Sequence, residues 1–112
     1  MFRDDQALSD ILQFARLAIK FQGELTYEEL EATEKEKILV SHELLMVGQA
    51  CTRLSKKFRN SHPEVSWHSW MNSRNLMMHA YDKIDLYEVW ETVKYDLPLL
   101  IEAVQKIVGK GE

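Results

Sequence analysis

Four residues with the chemistry to bind phosphate and move protons lie within eight positions of the chain: Arg74, Asn75, His79 and Tyr81. A guanidinium forms strong charge-assisted hydrogen bonds with phosphate, and an imidazole takes up or releases a proton near neutral pH. Arg74 falls on an otherwise apolar face of a predicted helix, where a charge is costly unless it meets an anion or water. The spacing therefore predicts a site that binds phosphate and transfers protons.

Three of these residues also have an ordinary structural explanation. Arg74 could pair with a carboxylate while its aliphatic stem covers Met71 and Met78. His79 could be a histidine satisfied by a single hydrogen bond, and Tyr81 could be a half-buried aromatic at the end of an apolar face. The residue types alone leave these alternatives open.

Residues 74–81 read Arg-Asn-Leu-Met-Met-His-Ala-Tyr and match the R-N-x-x-x-H-x-Y signature of the HepT-like branch of the HEPN domains. Further segments resemble this family in order and spacing, namely residues 4–5, 25–29, 62–67 and 84–98. The resemblance covers roughly the whole chain. It implies a compact helical toxin that cuts RNA inside prokaryotic cells.

The resemblance implies a homodimer whose interface groove joins the arginine and histidine of both copies. Arg74 would hold and neutralise the scissile phosphate, and His79 would act as general base or acid. Asn75 would orient the phosphate or the histidine. The implied reaction is metal-independent transesterification by the ribose 2′-hydroxyl, so that DNA would be inert and no cofactor would be needed.

The resemblance also implies a regulatory partner. In proteins similar to this one, the tyrosine that matches Tyr81 accepts AMP from a cognate minimal nucleotidyltransferase antitoxin. A phosphate fixed beside Arg74 would occupy the anion site and block RNA. The implied partners are therefore a second copy of the chain, an RNA substrate and the antitoxin.

Helix geometry gives independent support to a dimer. Five residues at 100° each place Arg74 and His79 about 140° apart around one helix axis, so a single helix converges them poorly. Two such helices that face each other across a two-fold axis would repair this geometry. The position of His79 near the helix C-terminus favours its protonated form, which suits a group that must take and give a proton.

The net charge of −4 disfavours long-range steering of RNA, so any RNA contact must be local. Arg53, Lys56 and Lys57 stand at i, i+3 and i+4 of a predicted helix, with Arg59 close behind. This group is a candidate RNA contact, although a solvated helix surface is the simpler explanation. The acidic charge also favours an alternative function, a non-catalytic helical subunit that presents substrate to a nucleotidyltransferase.

The helices that must position these residues are predicted from apolar periodicity. The first runs from Asp4 to Gln22 and stops at Gly23, and Thr26 and Thr33 each begin a capping box with a glutamate three residues later. The helix from Thr33 is predicted to continue to Arg59, because its apolar face is unbroken.

The motif helix is predicted to begin with Pro63 in its first turn and to end near Asp82. The last helix begins at Asp85 and keeps its apolar phase across Pro98, which favours one kinked helix. The predicted fold is all-α: an up-and-down four-helix bundle with a short extra connector helix and a kinked last helix.

Composition bounds the remaining possibilities. The 112 residues include four glycines and two prolines, which is typical of one helical domain, predicted over 1–108 with a flexible tail at 109–112. No secretory signal and no apolar run of about 20 residues is present, so we expect a cytoplasmic protein with no membrane contact. Cys51 falls on an apolar helix face, which predicts a buried thiol, and the histidine spacing predicts no metal site.

Overall fold

The computed structural model describes residues 3–79 and 85–110, and the side chains of 74–79 and 110 lie outside this description. All regular elements of the described chain are helical, as predicted. They are α1 (Asp4–Gln22), α2 (Tyr27–Ala32), α3 (Glu34–Thr52), α4 (Lys56–Ser61), α5 (Trp67–His79), α6 (Leu86–Glu91), a π-helical turn (Thr92–Asp96) and α7 (Leu97–Lys110).

Four principal helices form the bundle: α1, α3, α5 and the continuous unit from α6 to α7. The contacts pass from α5 to α3, from α3 to α1, and from α1 to the π turn and α7. Helix α1 buries Ala7, Ile11, Ala15 and Ala18 completely, which allows its neighbours to approach closely on two sides. The predicted all-α bundle with a short connector helix is confirmed.

The predicted end of α1 is confirmed at Gly23. The N–H of Gly23 donates to the carbonyl of Ile19, and Gly23 has a φ of +51° and a ψ of −133°. A positive φ is strained for residues with a Cβ, so glycine is the residue that can end the helix here. The chain then turns directly into the connector helix α2.

The first predicted capping box is confirmed, and the second is wrong. Thr26 accepts from the N–H of Glu29 at 3.2 Å, and the Glu29 carboxylate accepts from the N–H of Thr26 at 3.0 Å. Thr33 precedes α3 without a side-chain cap, because its hydroxyl donates to the Glu29 carbonyl at 2.7 Å instead. The close succession of α2 and α3 gives this hydroxyl a nearer acceptor.

The predicted single helix from Thr33 to Arg59 is also wrong, because α3 ends at Thr52 and α4 begins at Lys56. Ser55 accepts from the N–H of Phe58 and so caps α4. The carboxylate of Asp4 accepts from the Ser55 N–H at 2.7 Å and from its hydroxyl at 2.9 Å. This contact from α1 holds Ser55 in an extended conformation, which interrupts the helix.

Replacement of Asp4 by alanine is expected to lower the free energy of unfolding by about 1–3 kcal/mol, because it leaves two partly buried donors of Ser55 unpaired. Asp5→Ala is the matched control, since Asp5 is exposed in the same helical turn and should change stability by less than about 0.5 kcal/mol. Urea denaturation measures both variants. Equal losses would show that the first-turn charge of α1 matters, and not the contact with Ser55.

Pro63 does not occupy the first turn of the motif helix. Helix α4 ends at Ser61 with His62 as its C-cap, Pro63 follows in a turn, and α5 begins at Trp67. A proline directly after a helix C-cap stops that helix, which is the role Pro63 takes here. The predicted end of the motif helix near Asp82 lies outside the described residues.

The predicted continuity of the last helix across Pro98 is confirmed, with a π turn directly before the proline. The N–H of Leu97 donates to the carbonyl of Thr92, five residues earlier, and both residues keep right-handed helical backbone angles. Proline lacks the N–H that a regular helix needs, and its ring crowds the preceding turn. The wider π turn occupies that preceding turn. Helix α7 continues to Lys110, two residues beyond the predicted end of the domain at 108.

Candidate active site on helix α5

The N-terminal half of α5 is fixed to the bundle by Trp67. Its side chain is 4% exposed, and the indole N–H donates to the carbonyl of His62 at 2.9 Å. The ring of Phe58 lies 6.0 Å from the Trp67 ring, and Val65 is buried beside them in the core. These contacts fix the axis of α5 and its rotation about that axis. They therefore fix the direction that each later position of the helix faces.

The described part of α5 has one buried face and one exposed face, as predicted. Trp67 is buried and Met71 is half-buried, whereas His68 and Asn72 are exposed. By helical register, position 74 continues the face of Trp67, and positions 75 and 79 continue the face of His68. Arg74, Asn75 and His79 lie on this helix, but their side chains are outside the description.

The axial separation of positions 74 and 79 is about 7.5 Å, at 1.5 Å per residue. Their predicted separation of about 140° around the axis applies to α5, since the helix is regular through His79. Tyr81 lies outside the described residues. The structure therefore confirms the helix that carries three of the four motif residues, and the predicted roles of Arg74, Asn75, His79 and Tyr81 stay predictions.

A half-buried guanidinium lies against α5 one turn before position 74. Arg59 Nη1 donates to the sulfur of Met71 at 3.3 Å, and Arg59 Nε is buried without an acceptor among the described residues. No salt bridge joins Arg59 to a carboxylate in the described part of the chain. Within the described part of the chain, the positive charge of Arg59 therefore has no paired carboxylate beside the motif helix, which favours an anion there.

The other predicted RNA-contacting residues do not share one helix face, because α3 ends before Arg53. Arg53 forms a salt bridge with Asp10 at 2.7 Å, and this hydrogen bond holds the pKa of Asp10 below its usual value. Lys56 and Lys57 are exposed in the first turn of α4. Of the four basic residues, Arg59 is the one packed against the motif helix.

The contact between Arg59 and Met71 was not visible in the apolar periodicity. It joins two helices across 12 positions of sequence, and Arg59 stood in the sequence as part of a basic run. One sequence signal could have indicated this contact. Arg59 is followed by a turn that contains Pro63, and this turn folds α5 back toward α4. The same turn explains why Trp67 reaches the carbonyl of His62.

Comparison with known proteins agrees with this helix arrangement. The profile of the family described as Ribonuclease HepT-like matches residues 11–107, which include α5 and most of the bundle. This chain belongs to the HepT-like ribonuclease family. Family membership supports a ribonuclease function for the helical domain.

Several relatives of this HepT-like chain carry ribonuclease names. A probable ribonuclease HepT of Thermococcus cleftensis is 30% identical over 89% of this chain and 91% of its own length. A putative RNase of Methanocaldococcus jannaschii is 32% identical over 92% of this chain and 95% of its own length. A putative RNase of Caldanaerobacter subterraneus is 27% identical over 92% of each chain. No solved structure gave a significant match.

The thiol of this HepT-like chain is structural, as predicted. Cys51 is completely buried on α3, and burial raises the pKa of its thiol to about 12, with the charge of Arg59 acting in the opposite direction. A thiol of this kind is a poor nucleophile because the thiolate is the reactive form. Among the described residues, no three side chains of histidine, cysteine, aspartate or glutamate are grouped as metal ligands, and no helix is long and apolar enough to cross a membrane.

Proposed function

We propose that this protein is the toxin endoribonuclease of a toxin–antitoxin pair and that it cleaves RNA without a metal ion. The observation that carries the proposal is the R-N-x-x-x-H part of the signature, which lies on a helix that Trp67 anchors to the bundle, beside the guanidinium of Arg59, which has no paired carboxylate among the described residues. Membership in a ribonuclease family supports the substrate class. RNA phosphate is the anion that best fits these cations.

The proposed reaction removes one proton from the ribose 2′-hydroxyl and adds one proton to the 5′-oxygen. The ribose 2′-oxygen attacks the neighbouring phosphorus while a neutral His79 imidazole accepts the hydroxyl proton. The bond from phosphorus to the 5′-oxygen breaks, and the imidazolium of His79 formed in this step gives its proton to that leaving oxygen. Arg74 neutralises the charge that develops on the phosphoryl oxygens, and Asn75 orients the phosphate or the imidazole. The products are a 2′,3′-cyclic phosphate and a 5′-hydroxyl.

Two copies of the chain supply the groups for this reaction. Position 74 continues the buried face of α5 and position 79 continues its exposed face, so one copy offers the phosphate only one of them at close range. A homodimer with facing α5 helices brings the arginine of one copy to the histidine of its partner. The groove between them is the proposed RNA site, with Arg59 contributing charge at its edge.

The proposed control of the enzyme is covalent. A cognate nucleotidyltransferase antitoxin transfers AMP from ATP to the hydroxyl of Tyr81 and releases pyrophosphate. The new phosphate pairs with Arg74 and occupies the place of the RNA phosphate. Incubation with the antitoxin and ATP should add the mass of one AMP to the wild-type chain and leave Tyr81→Phe unmodified, whereas equal labelling of both would exclude Tyr81 as the acceptor.

Metal independence and the 2′-hydroxyl are tested in one assay. Cleavage of an RNA oligonucleotide is expected to continue in EDTA, and a single 2′-deoxy substitution at the cleaved nucleotide should abolish cleavage at that bond, because the attacking oxygen is absent. End-group analysis should find a cyclic phosphate. Loss of activity in EDTA with recovery on addition of magnesium would instead assign a metal-activated water as the nucleophile.

A second function, a non-catalytic subunit that presents substrate to a nucleotidyltransferase, is favoured by the net charge of −4 and by the neutralisation of Arg53 by Asp10. Under that function, the purified chain binds the nucleotidyltransferase stably, Tyr81 stays unmodified and RNA is not cut. The same cleavage assay therefore separates the two functions.

A further inference from the structure

A row of four aromatic rings, two of them exposed, runs over α2, α6 and the π turn. The rings of Tyr27 and Tyr87 lie 5.2 Å apart, those of Tyr87 and Trp90 5.8 Å, and those of Trp90 and Tyr95 6.4 Å. Tyr87 and Tyr95 are 47% and 55% exposed. We call these four residues the aromatic row. Tyrosine and tryptophan are enriched at protein interfaces, so this row indicates an interaction surface.

The aromatic row lies in a strongly acidic surrounding. Residues 23–32 and 85–96 contain one basic residue, Lys94, and eight exposed acidic residues: Glu24, Glu28, Glu29, Glu31, Asp85, Glu88, Glu91 and Asp96. The hydrogen bond to Glu31 raises the pKa of Tyr27, and the negative charges of Glu31, Asp85 and Glu28 add to this effect. This surface repels phosphate and attracts cations.

The rings of the aromatic row already hold one cation. The ammonium of Lys94 lies 4.9 Å from the centre of the Trp90 ring and 5.4 Å from that of Tyr95. Both distances are within the range of cation–π attraction. The exposed rings are therefore oriented so that a positive group can reach their faces.

A pocket of about 210 Å³ opens beside Lys94, between the end of α1 and the π turn. Its lining includes Gln22 and Glu24. Gln22 is only 3% exposed, its Nε2 donates to the carbonyl of Trp90 at 3.0 Å, and its Oε1 is buried without a donor among the described residues. One water needs only about 10–15 Å³, so the pocket has room for a larger group that donates hydrogen bonds.

We propose that this pocket and the aromatic row bind an arginine side chain of a basic partner protein. A guanidinium supplies the N–H that Gln22 Oε1 needs, a positive charge for Glu24 and a flat face for the ring of Tyr95. The acidic surrounding attracts further basic residues of the same partner and disfavours RNA. The arginine displaces Lys94, which is exposed and free to move into solvent.

Isothermal titration calorimetry with a blocked peptide of alternating arginine and glycine tests the proposal, with citrulline in place of arginine as the neutral reference. We expect the arginine peptide to bind and the citrulline peptide to bind at least about tenfold more weakly. Glu24→Gln and Tyr95→Ala, both at exposed positions, should each weaken binding by about tenfold, and Lys94→Met should strengthen it. Glu102→Gln on α7 makes the same charge change away from the pocket and should leave binding unaltered.

Three outcomes would overturn the proposal: equal binding of both peptides, an equal loss in Glu24→Gln and Glu102→Gln, or self-association of the chain that Glu24→Gln and Tyr95→Ala abolish. The first would exclude a charged ligand, the second would show diffuse electrostatic attraction, and the third would assign the surface to a second copy. Neither the peptides nor the substituted residues belong to the proposed cleavage site, so the result is independent of RNA cleavage.

Discussion

His79→Ala and Arg74→Ala are each expected to lower the rate of RNA cleavage by about 10²–10⁴-fold. His79→Ala removes the group that accepts and donates the proton. Arg74→Ala leaves the charge on the phosphoryl oxygens uncompensated as the new bond forms. Initial rates on an RNA oligonucleotide in EDTA, with saturating enzyme, measure the loss in the chemical step, and circular dichroism checks the helix content.

Two exposed residues on other helices provide matched controls for these variants. His42→Ala on α3 and Arg16→Ala on α1 remove the same side-chain types and should retain the full rate. Full activity in both Arg74→Ala and His79→Ala would contradict the proposed chemistry. A loss that also appeared in the two controls would point to general charge effects.

Trp67→Ala is expected to lower the free energy of unfolding by about 3–5 kcal/mol, the largest stability effect that we predict for the described residues. The side chain is 4% exposed, packs against the bundle core and donates the hydrogen bond that ties α5 to His62. Its removal leaves a cavity and a partly buried carbonyl without this donor. Because Trp67 fixes the rotation of α5, RNA cleavage should fall as well, even at temperatures where the variant is folded.

Trp70→Ala and Trp67→Phe separate packing from hydrogen bonding in this prediction. Trp70 is half-buried on the same helix, so Trp70→Ala should lower the free energy of unfolding clearly less than Trp67→Ala. Trp67→Phe keeps most of the apolar contact and loses the indole N–H, so its cost should be nearer to about 1–3 kcal/mol. Urea denaturation gives all three values. Equal costs for Trp67→Ala and Trp70→Ala would show that the anchor of α5 lies elsewhere.

The fold was predictable from the sequence wherever a local pattern decides the structure. The apolar periodicity gave the bounds of α1, and the residue types at Thr26 and Asp85 gave two helix starts whose caps the structure confirms. Cys51 was correctly assigned to a buried position on an apolar helix face. Apolar periodicity indicates which residues of a helix are buried. Burial alone was therefore enough to predict these helices and their buried positions.

The interruptions of the helices were not predictable, because distant contacts cause them. Asp4 holds Ser55 across 51 positions and breaks the long helix, although the apolar face keeps its phase through the break. Trp90 and Gln22 are joined across 68 positions, and the Trp90 indole donates to the carbonyl of Leu25 across 65. Such contacts between distant residues do not change the local pattern of apolar and polar residues. The sequence therefore gave no signal for the pocket beside the π turn.

The candidate site divides in the same way. The family resemblance of the motif implied the chemistry, and helix geometry predicted that one copy would not complete the site. Arg59 was grouped with Arg53 in a basic run, but Asp10 neutralises Arg53, whereas Arg59 lies against Met71 of the motif helix. The sequence does not show which basic residue has a carboxylate nearby in the fold. The pairing with carboxylates decides which basic residues can contact RNA.

Subunit complementation is the most direct test of the shared site. Arg74→Ala and His79→Ala chains, coexpressed with different tags and purified as the mixed dimer, should regain RNA cleavage that neither variant shows alone. One of the two composite sites in the mixed dimer has an intact arginine from one copy and an intact histidine from the other, so we expect about half of the wild-type rate. A mixed dimer that stays as inactive as its parents would contradict a site built from both protomers.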